Sequence, residues 1–400
     1  NSGELARLLA EFGVEVARIA VEGDDEGVLA ARIAELCATH ELVIATGGLG
    51  PTLDDITREA AARAANVELV EDERARTDLL AWFERRGAPM PQLNLRQIRI
   101  PRGSELVRNP VGTAPGFALE IGRALFVSLP GPPHEMRALW QDSVRARVAA
   151  RFAQPLGRAR LYLFGMSESR FAEIAGTRMK RGADPEIGVT ASDGRLSVLV
   201  TARGGGAGSA AELDARARAA ADELARELEP HVYSRDEGRL EHLVARELAA
   251  RGVKIAVAES CTGGLLAGAL TSVPGISASF ERGWIVYADL AKQSELGVAP
   301  ALLAQHGAVS SEVAAALARG AAERSGAALA LSTTGIAGPS GGSAEKPVGT
   351  VWFGVHWRGS TRTHLLRFPP GDRERVRRFA TNAALHLGLT ALREAGDSRS

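Results

Sequence analysis

Three side chains able to attack a carbonyl stand together at Ser260-Cys261-Thr262, inside the heptapeptide AESCTGG that follows the apolar run VKIAV. A strand ending in such a turn and opening into a helix exposes its first side chain, as a nucleophile requires. The first N–H groups of the helix can then hold an oxyanion. Gly263 and Gly264 leave room for a ligand to come close. The same residues also suit a plain helix cap, the commoner use of Ser and Thr at this kind of junction. By itself the heptapeptide favours the cap.

A nucleophilic serine needs a base. None of the eight histidines stands in a triad context, and His306, in LLAQHGAVSSEV, reads as part of a helix-to-helix turn. A lysine serves instead if burial, a nearby cation or a helix N-terminus disfavours its charged form. WIVYADLAKQSELG offers one: Tyr287 ends an apolar strand, and Lys292, five residues on, falls in the first turn of the next helix. The helix dipole there opposes the ammonium form, and Tyr287 can relay a proton. A surface lysine beside an edge tyrosine is the plainer alternative. A third stretch, STTGIAGPSGGSAEKPVGTVWFGV, ends a strand at Thr333-Thr334-Gly335 and runs into a flexible loop rich in backbone donors.

A second centre lies earlier, at Thr46–Asp55 (TGGLGPTLDD), after the apolar LVIA. Gly47, Gly48 and Gly50 let the backbone approach an anion, and a helix opening near Ile56 or Thr57 offers N–H groups to phosphate. Asp54 and Asp55, just past Thr52, diverge: one can face a divalent ion bridging phosphates while the other caps the helix. A glycine-rich loop before a capped helix is the plainer account. NPVGTAPG, with Asn109, Gly112 and Thr113, and LPGPPHEM, with Gly131 and Glu135, are similar loops beside strands. Three such loops in one α/β domain can converge at the carboxyl edge of its sheet.

The elements that must position these residues fall into three blocks. Residues 1–153 alternate a helix (GELARLLAEFG), a strand (VEVARIAV), a helix (EGVLAARIAELCATH) and a strand (ELVIATGG). They close with ALFVSLPG and a long helix, PPHEMRALWQDSVRARVAARF. That order predicts a mostly parallel sheet covered on both faces. Residues 154–236 read as a small α+β module without a catalytic constellation. Glu168 and Ser169 start a helix there, Ser192-Asp193-Gly194 turns tightly between strands, and residues 204–211 form a flexible loop. Residues 237–395 return to α/β alternation: a helix through Leu248, strands at 253–258, RGWIVY, AALALSTTG and GTVWFGVHW, and a final helix, RERVRRFATNAALHLGLTALREA. The tail GDSRS is expected to be disordered.

Lys+Arg and Asp+Glu both total 48 in the 400 residues, so no positive field favours direct nucleic-acid binding. Two cysteines, Cys37 and Cys261, far apart, exclude a disulfide framework and fit the cytoplasm. No membrane span and no signal peptide is visible.

GGLGPTLDDITREA, NPVGTAPG and LPGPPHEM together resemble the competence/damage-inducible CinA family, whose first domain is like the molybdopterin-binding domains. The resemblance implies a three-layer α/β/α fold binding a nucleotide or pterin-like ligand through Gly47, Gly48, Gly50, Thr52, Asp54, Asn109, Gly112, Thr113, Gly131 and Glu135. Asp55 then contacts a divalent metal (Mg, Mn or Co) or a phosphate, and the activity implied is an ADP-ribose pyrophosphatase. Family members carry a further first strand and a glycine-containing loop before the helix that opens this sequence, so the sheet is expected without that strand. AESCTGG, the Tyr287–Lys292 spacing and TTGIAGP resemble the family's C-terminal nicotinamide-mononucleotide deamidase domain.

By that resemblance Ser260 is the nucleophile, assisted by Tyr287 and Lys292. Cys261, Thr262, Gly263, Gly264, Thr334, Gly335, Ala337 and Gly338 surround the substrate, and Ser340 replaces a glycine common in relatives. Thr262 is the expected helix cap and Cys261 a tolerated neighbour. The implied reaction converts nicotinamide mononucleotide to the nicotinate mononucleotide and ammonia, without cofactor, in a homodimer. Two alternatives stand beside it: the pyrophosphatase as main activity, or a non-catalytic interaction role in DNA uptake or damage response.

Overall fold

The structure, a computed structural model, describes residues 1–204, 208–369 and 371–397. They divide into two units, Asn1–Leu156 and Gly157–Ser400. Parts of the loop expected at 204–211 and of the tail lie outside the described residues.

In the first unit the strands are β1 (Leu42–Thr46), β2 (Leu69–Glu71), β3 (Arg99–Pro101), β4 (Glu105–Val107), β5 (Gly116–Ile121) and β6 (Ala124–Leu129). β2 pairs with β3, and the main sheet runs β1-β6-β5-β4. Only β1 and β6 are parallel; β6–β5 and β5–β4 are antiparallel. The mostly parallel sheet is therefore corrected to a mixed one. The reason is the tight link at Gly122-Arg123, with Gly122 at φ 62°, which leaves no room for a crossover helix. VEVARIAV is also corrected: residues 14–21 form no strand, and Val16, Ile19 and Val21 are exposed. β propensity alone does not make a strand without a neighbour to complete its ladder. Instead Arg18 reaches Glu35 at 2.8 Å on the helix Glu26–Thr39. The closing helix forms as expected, but with one wide π turn at Trp140–Val144 between Pro133–Leu139 and Arg145–Phe152.

The second unit holds two sheets. The smaller contains β7 (Leu156–Phe164), β8 (Glu186–Ser192), β9 (Arg195–Arg203) and β10 (Val232–Ser234), in the order β10-β7-β9-β8. Asp193 (φ 48°) and Gly194 (φ 81°) make the expected two-residue turn, the left-handed pair a tight hairpin requires. The larger contains β11 (Ile255–Glu259), β12 (Phe280–Ile285), β13 (Leu329–Gly335), β14 (Thr350–Trp357) and β15 (Ser360–Arg367), in the order β12-β11-β13-β14-β15. β12, β11 and β13 are parallel, and β14 and β15 add antiparallel hairpins. β15, STRTHLLR, goes unread in the sequence because an exposed edge strand carries little apolar signal.

Side-chain alternation along β11 fixes the layers. Ile255 and Val257 join the core made with the helix Leu240–Arg251 and the final helix Arg373–Asp397. Ala256 and Ala258 point the other way, toward Leu317 and Ala321 of the helix Ser311–Ser325. The smaller sheet docks on the final helix. Arg378 Nε donates to Asp193 Oδ1 at 3.1 Å and Asn382 Nδ2 to the Asp193 carbonyl at 2.9 Å. A Cβ on Gly194 would lie 2.8 Å from the Phe379 ring. Phe164 stacks on His386 with ring centroids 4.5 Å apart, and Tyr233 meets the same ring edge-on at 6.0 Å.

His386 Nδ1 is buried without a partner. Burial, helped by Arg393 and His231, pulls its proton affinity from 6.5 down to about 4. Between those values the unfolded chain binds a proton that the folded chain refuses, so stability falls as pH drops through the window and is whole above it. In calorimetry at pH 4 to 6.5, the wild-type melting temperature should fall more steeply than that of His386→Leu. Parallel curves would show that His386 does not titrate in this way.

Candidate functional site

Glu259, the last residue of β11, pairs with Ile285 of β12 on one side and Thr333 of β13 on the other. Ser260 therefore leaves the sheet between the segment that continues to Tyr287 and the Thr333-Thr334 strand end. Its N–H donates to the Thr333 carbonyl at 3.0 Å, and its carbonyl accepts from Gly263 N–H at 3.1 Å, closing a turn. Gly263 (φ 58°) and Gly264 (φ 95°) take left-handed conformations there. Ser260 is 8% exposed.

Thr262 is not the helix cap. Its hydroxyl pairs with the Thr333 hydroxyl at 2.7 Å, and the helix starts only at Leu265. The capping group is Glu259, wholly buried. Its Oε2 accepts from Gly264 N–H at 2.9 Å and Leu266 N–H at 3.1 Å, and its Oε1 from Ala267 N–H at 2.7 Å. A carboxylate on the free donors of a helix start suits both hydrogen bonding and dipole. Of the backbone N–H groups that could hold an oxyanion, near Cys261–Gly263 or Thr334, Gly263 N–H already donates to the Ser260 carbonyl. The N–H groups of Cys261 and Thr262 donate to no backbone carbonyl among the described residues.

Lys292 sits in the first turn of the helix Asp289–Leu296 and is 1% exposed. Its Nζ donates to the Tyr287 carbonyl at 2.9 Å and to Asp289 Oδ1 at 3.1 Å. No hydrogen bond joins Lys292, the expected base, to Ser260 among the described residues: the amine is turned toward Asp289. Tyr287 stands two residues beyond β12 rather than at its end, is exposed, and accepts from Arg373 Nη2 at 2.5 Å through its hydroxyl. Arg373 Nη1 also donates to the Gly338 carbonyl at 2.9 Å. The guanidinium thus ties Tyr287 to the loop that follows β13.

In that loop Gly335 is needed for space, since a Cβ would lie 2.7 Å from the Thr350 carbonyl. Ala337 is buried, and Gly338 has φ 87°. Thr334 directs its hydroxyl at the Ala308 carbonyl, 2.7 Å away, and Lys346 Nζ donates to the His306 carbonyl at 3.0 Å. His306 ends the helix Pro300–His306, in the expected turn.

The first unit brings its three glycine loops together. Gly131 lies beside Gly47, at 3.5 Å from the Gly47 Cα to a Cβ built on Gly131. Asn109 Nδ2 donates to Glu135 Oε2 at 2.6 Å, and Asn109 Oδ1 accepts from Gly112 N–H at 2.8 Å. Gln97 Nε2 spans to the Leu49 carbonyl at 3.5 Å and to Thr113 Oγ1 at 3.3 Å. Thr57 Oγ1 donates to the Gly47 carbonyl at 2.8 Å, and Thr57 N–H to that of Gly48 at 3.1 Å. Buried Arg58 holds the Leu49 and Gly50 carbonyls at 2.6 and 2.8 Å. Beside the loops opens a cavity of about 190 Å³ lined by Trp82, Arg85, Arg108 and Asn109 among others.

Neither Asp54 nor Asp55 caps the helix Thr57–Ala65, whose start has no side-chain cap. Asp54 is exposed. The Asp55 carboxylate closes its own turn, accepting from Thr52 N–H at 2.9 Å and Thr52 Oγ1 at 2.5 Å. Burial pushes its proton affinity up, but the bonds from Thr52 and Gly50 outweigh this and hold it below the usual range. Among the described residues no group of three His, Cys, Asp or Glu side chains could hold a metal ion. These residues do not form a protein-only cage for the divalent metal implied by the resemblance.

Asp289, Arg373 and the capping role of Glu259 were missed in the sequence. An aspartate at the start of the helix carrying Lys292 is a readable signal. Nothing local links Arg373 to Tyr287, which is distant in the chain.

Two α/β units, one with converging glycine loops and one with a serine turn at a parallel sheet edge, define a protein that joins a molybdopterin-binding-like domain to a second α/β domain. Residues 1–150 match the family described as probable molybdopterin binding domain, and residues 237–392 match the CinA C-terminal domain. A CinA-like protein of Geobacter sp. (strain M21) is 40% identical over 386 residues, covering 96% of this chain and 91% of that one. A putative competence-damage inducible protein of Symbiobacterium thermophilum is 42% identical over 400 residues, covering 97% and 93%. The chain belongs to the CinA family. A crystal structure of the competence/damage inducible protein CihA from Agrobacterium tumefaciens is 42% identical and covers 39% of this chain and 97% of that one, with a TM-score of 0.38. No helix among the described residues is long and apolar enough to cross a membrane.

Burial pushes the Cys261 thiol up to about 12 and that of Cys37 up to about 11, so neither is a thiolate near neutrality. Iodoacetamide at neutral pH should leave both unmodified in the folded protein by mass spectrometry; rapid labelling of Cys261 would contradict the burial. Glu259→Gln replaces one acceptor oxygen with an amide facing the same donors. We expect a loss of about 1–3 kcal/mol in denaturant unfolding; an unchanged midpoint would remove Glu259 as the cap.

Proposed function

We propose that the protein hydrolyses the carboxamide of nicotinamide mononucleotide at Ser260, giving nicotinate mononucleotide and ammonia. The observation that carries this reading is the register of β12, β11 and β13, which delivers Tyr287, Ser260 and Thr333 to one sheet edge, with Lys292 bonded to the Tyr287 carbonyl.

In this reading Ser260 Oγ attacks the amide carbon. Lys292, swung from Asp289 toward the serine, takes the hydroxyl proton. The N–H groups of Cys261 and Thr262 receive the developing oxyanion. Collapse of the tetrahedral intermediate expels ammonia, with the proton returned through Lys292 and Tyr287. Water then cleaves the acyl-enzyme by the reverse proton path. Arg373, exposed beside Tyr287, supplies a cation at the rim for the nucleotide phosphate. The scheme uses no cofactor. With it goes the proposal of a cytoplasmic homodimer that takes part in the recycling of NAD.

A second reading belongs to the first unit. The meeting of Gly47, Gly131, Asn109 and Glu135 favours a nucleotide site there, with ADP-ribose as the substrate to test. Ammonia release from nicotinamide mononucleotide should be lost in Ser260→Ala by at least about a thousandfold and kept in Asp55→Asn. AMP release from ADP-ribose, assayed with added divalent metal, should show the reverse pattern. Wild-type ammonia release by Ser260→Ala would remove the nucleophile assignment.

A further inference from the structure

The turn that carries Ser260 is gripped by a residue from the far end of the chain. Arg377, half-buried in the final helix, donates to the Thr262 carbonyl from Nη2 at 2.8 Å and from Nε at 3.3 Å. A Cβ on Gly263 would lie 3.1 Å from Arg377 Nη2. Glycine at 263 therefore serves the left-handed turn and also leaves space for the guanidinium. The neighbouring helical residues Arg378 and Asn382 are anchored to Asp193, and the Thr262 hydroxyl is tied to Thr333. Both partners of the Arg377 contact are held.

The carbonyl that Arg377 binds belongs to the same peptide group as Gly263 N–H, which donates to the Ser260 carbonyl at 3.1 Å. That carbonyl in turn shares a peptide group with Cys261 N–H, which donates to no backbone carbonyl among the described residues. A cation, two peptide groups and the Cys261 N–H thus stand in series. Each hydrogen bond accepted by a peptide oxygen makes the N–H of the same group a better donor, and the effect accumulates along a chain.

We propose that Arg377 is a positioning residue for oxyanion stabilisation, fixing and polarising the Cys261 N–H through the Thr262–Gly263 and Ser260–Cys261 peptide groups. This rests on the reading of Ser260 as nucleophile. Arg377 touches neither substrate nor reacting atoms, and its effect falls on the transition state rather than on ground-state binding.

The test uses the full chain, with ammonia release from nicotinamide mononucleotide and binding of pyridine-3-boronic acid, which mimics the tetrahedral oxyanion when it captures a serine. Arg377→Gln should lower kcat by about tenfold or more, with KM nearly unchanged. Boronic acid affinity should fall by a similar factor, while affinity for the planar product, nicotinate mononucleotide, stays constant. Arg377→Lys, which returns a cationic donor to the same carbonyl, should recover part of kcat and of boronate binding. It also guards against a folding failure of the glutamine variant, melting curves being taken for each. Wild-type kcat in folded Arg377→Gln overturns the proposal. So does a lysine variant no better than glutamine, or a loss of kcat without loss of boronate binding. Wild-type activity in Ser260→Ala would instead overturn the nucleophile reading beneath it, so the two failures are distinguishable.

Discussion

Glu259 keeps its carboxylate out of water and in exchange takes three backbone N–H groups from the turn and helix that follow it. An unpaired charge at this depth would cost several kcal/mol, about what a buried ion loses on desolvation. The chain after β11 therefore has little freedom. The helix must begin past Gly264, two glycines must adopt left-handed angles, and Ser260 to Gly263 must form a turn of their own. That turn holds the serine at the sheet edge instead of folding it into the helix as a cap. The position of Ser260 is thus a consequence of where its neighbour's charge is satisfied.

The first unit uses the opposite charge for the same purpose. Arg58 is buried and holds two carbonyls of the glycine loop. Arg96 lies across the same loop and pairs with Glu59 at 3.0 Å. Loops made of glycine and proline have few side chains with which to fix themselves. In both units a charged side chain from an adjoining element fixes the loop backbone.

Elements buried on both faces were readable from the residues, because β11 and β13 are short apolar runs bounded by glycine or polar turns. The Asp193-Gly194 hairpin was readable because its two residues are those that tolerate positive φ. What failed did so for non-local reasons. VEVARIAV has strand composition, yet pairing is decided by a neighbour that composition does not specify. The parallel sheet was lost to the two-residue link at Gly122-Arg123, a detail of loop length. In the site, AESCTGG and the Tyr287–Lys292 spacing declare themselves locally. The contacts of Lys292 with Asp289, and the reach of Arg373 and Arg377 from the last helix, depend on how distant segments pack.

The docking of the smaller sheet on the final helix has a consequence for shorter proteins. Phe379 and His386 are covered by the Asp193-Gly194 hairpin and by Phe164 and Tyr233. A chain that kept only the larger sheet and its helices would leave an aromatic strip open to water along one side of that helix. To remain monodisperse it would have to replace those positions with polar residues or bury them against another subunit. The residues at 379 and 386 are therefore the ones such a shorter chain would have to change or cover.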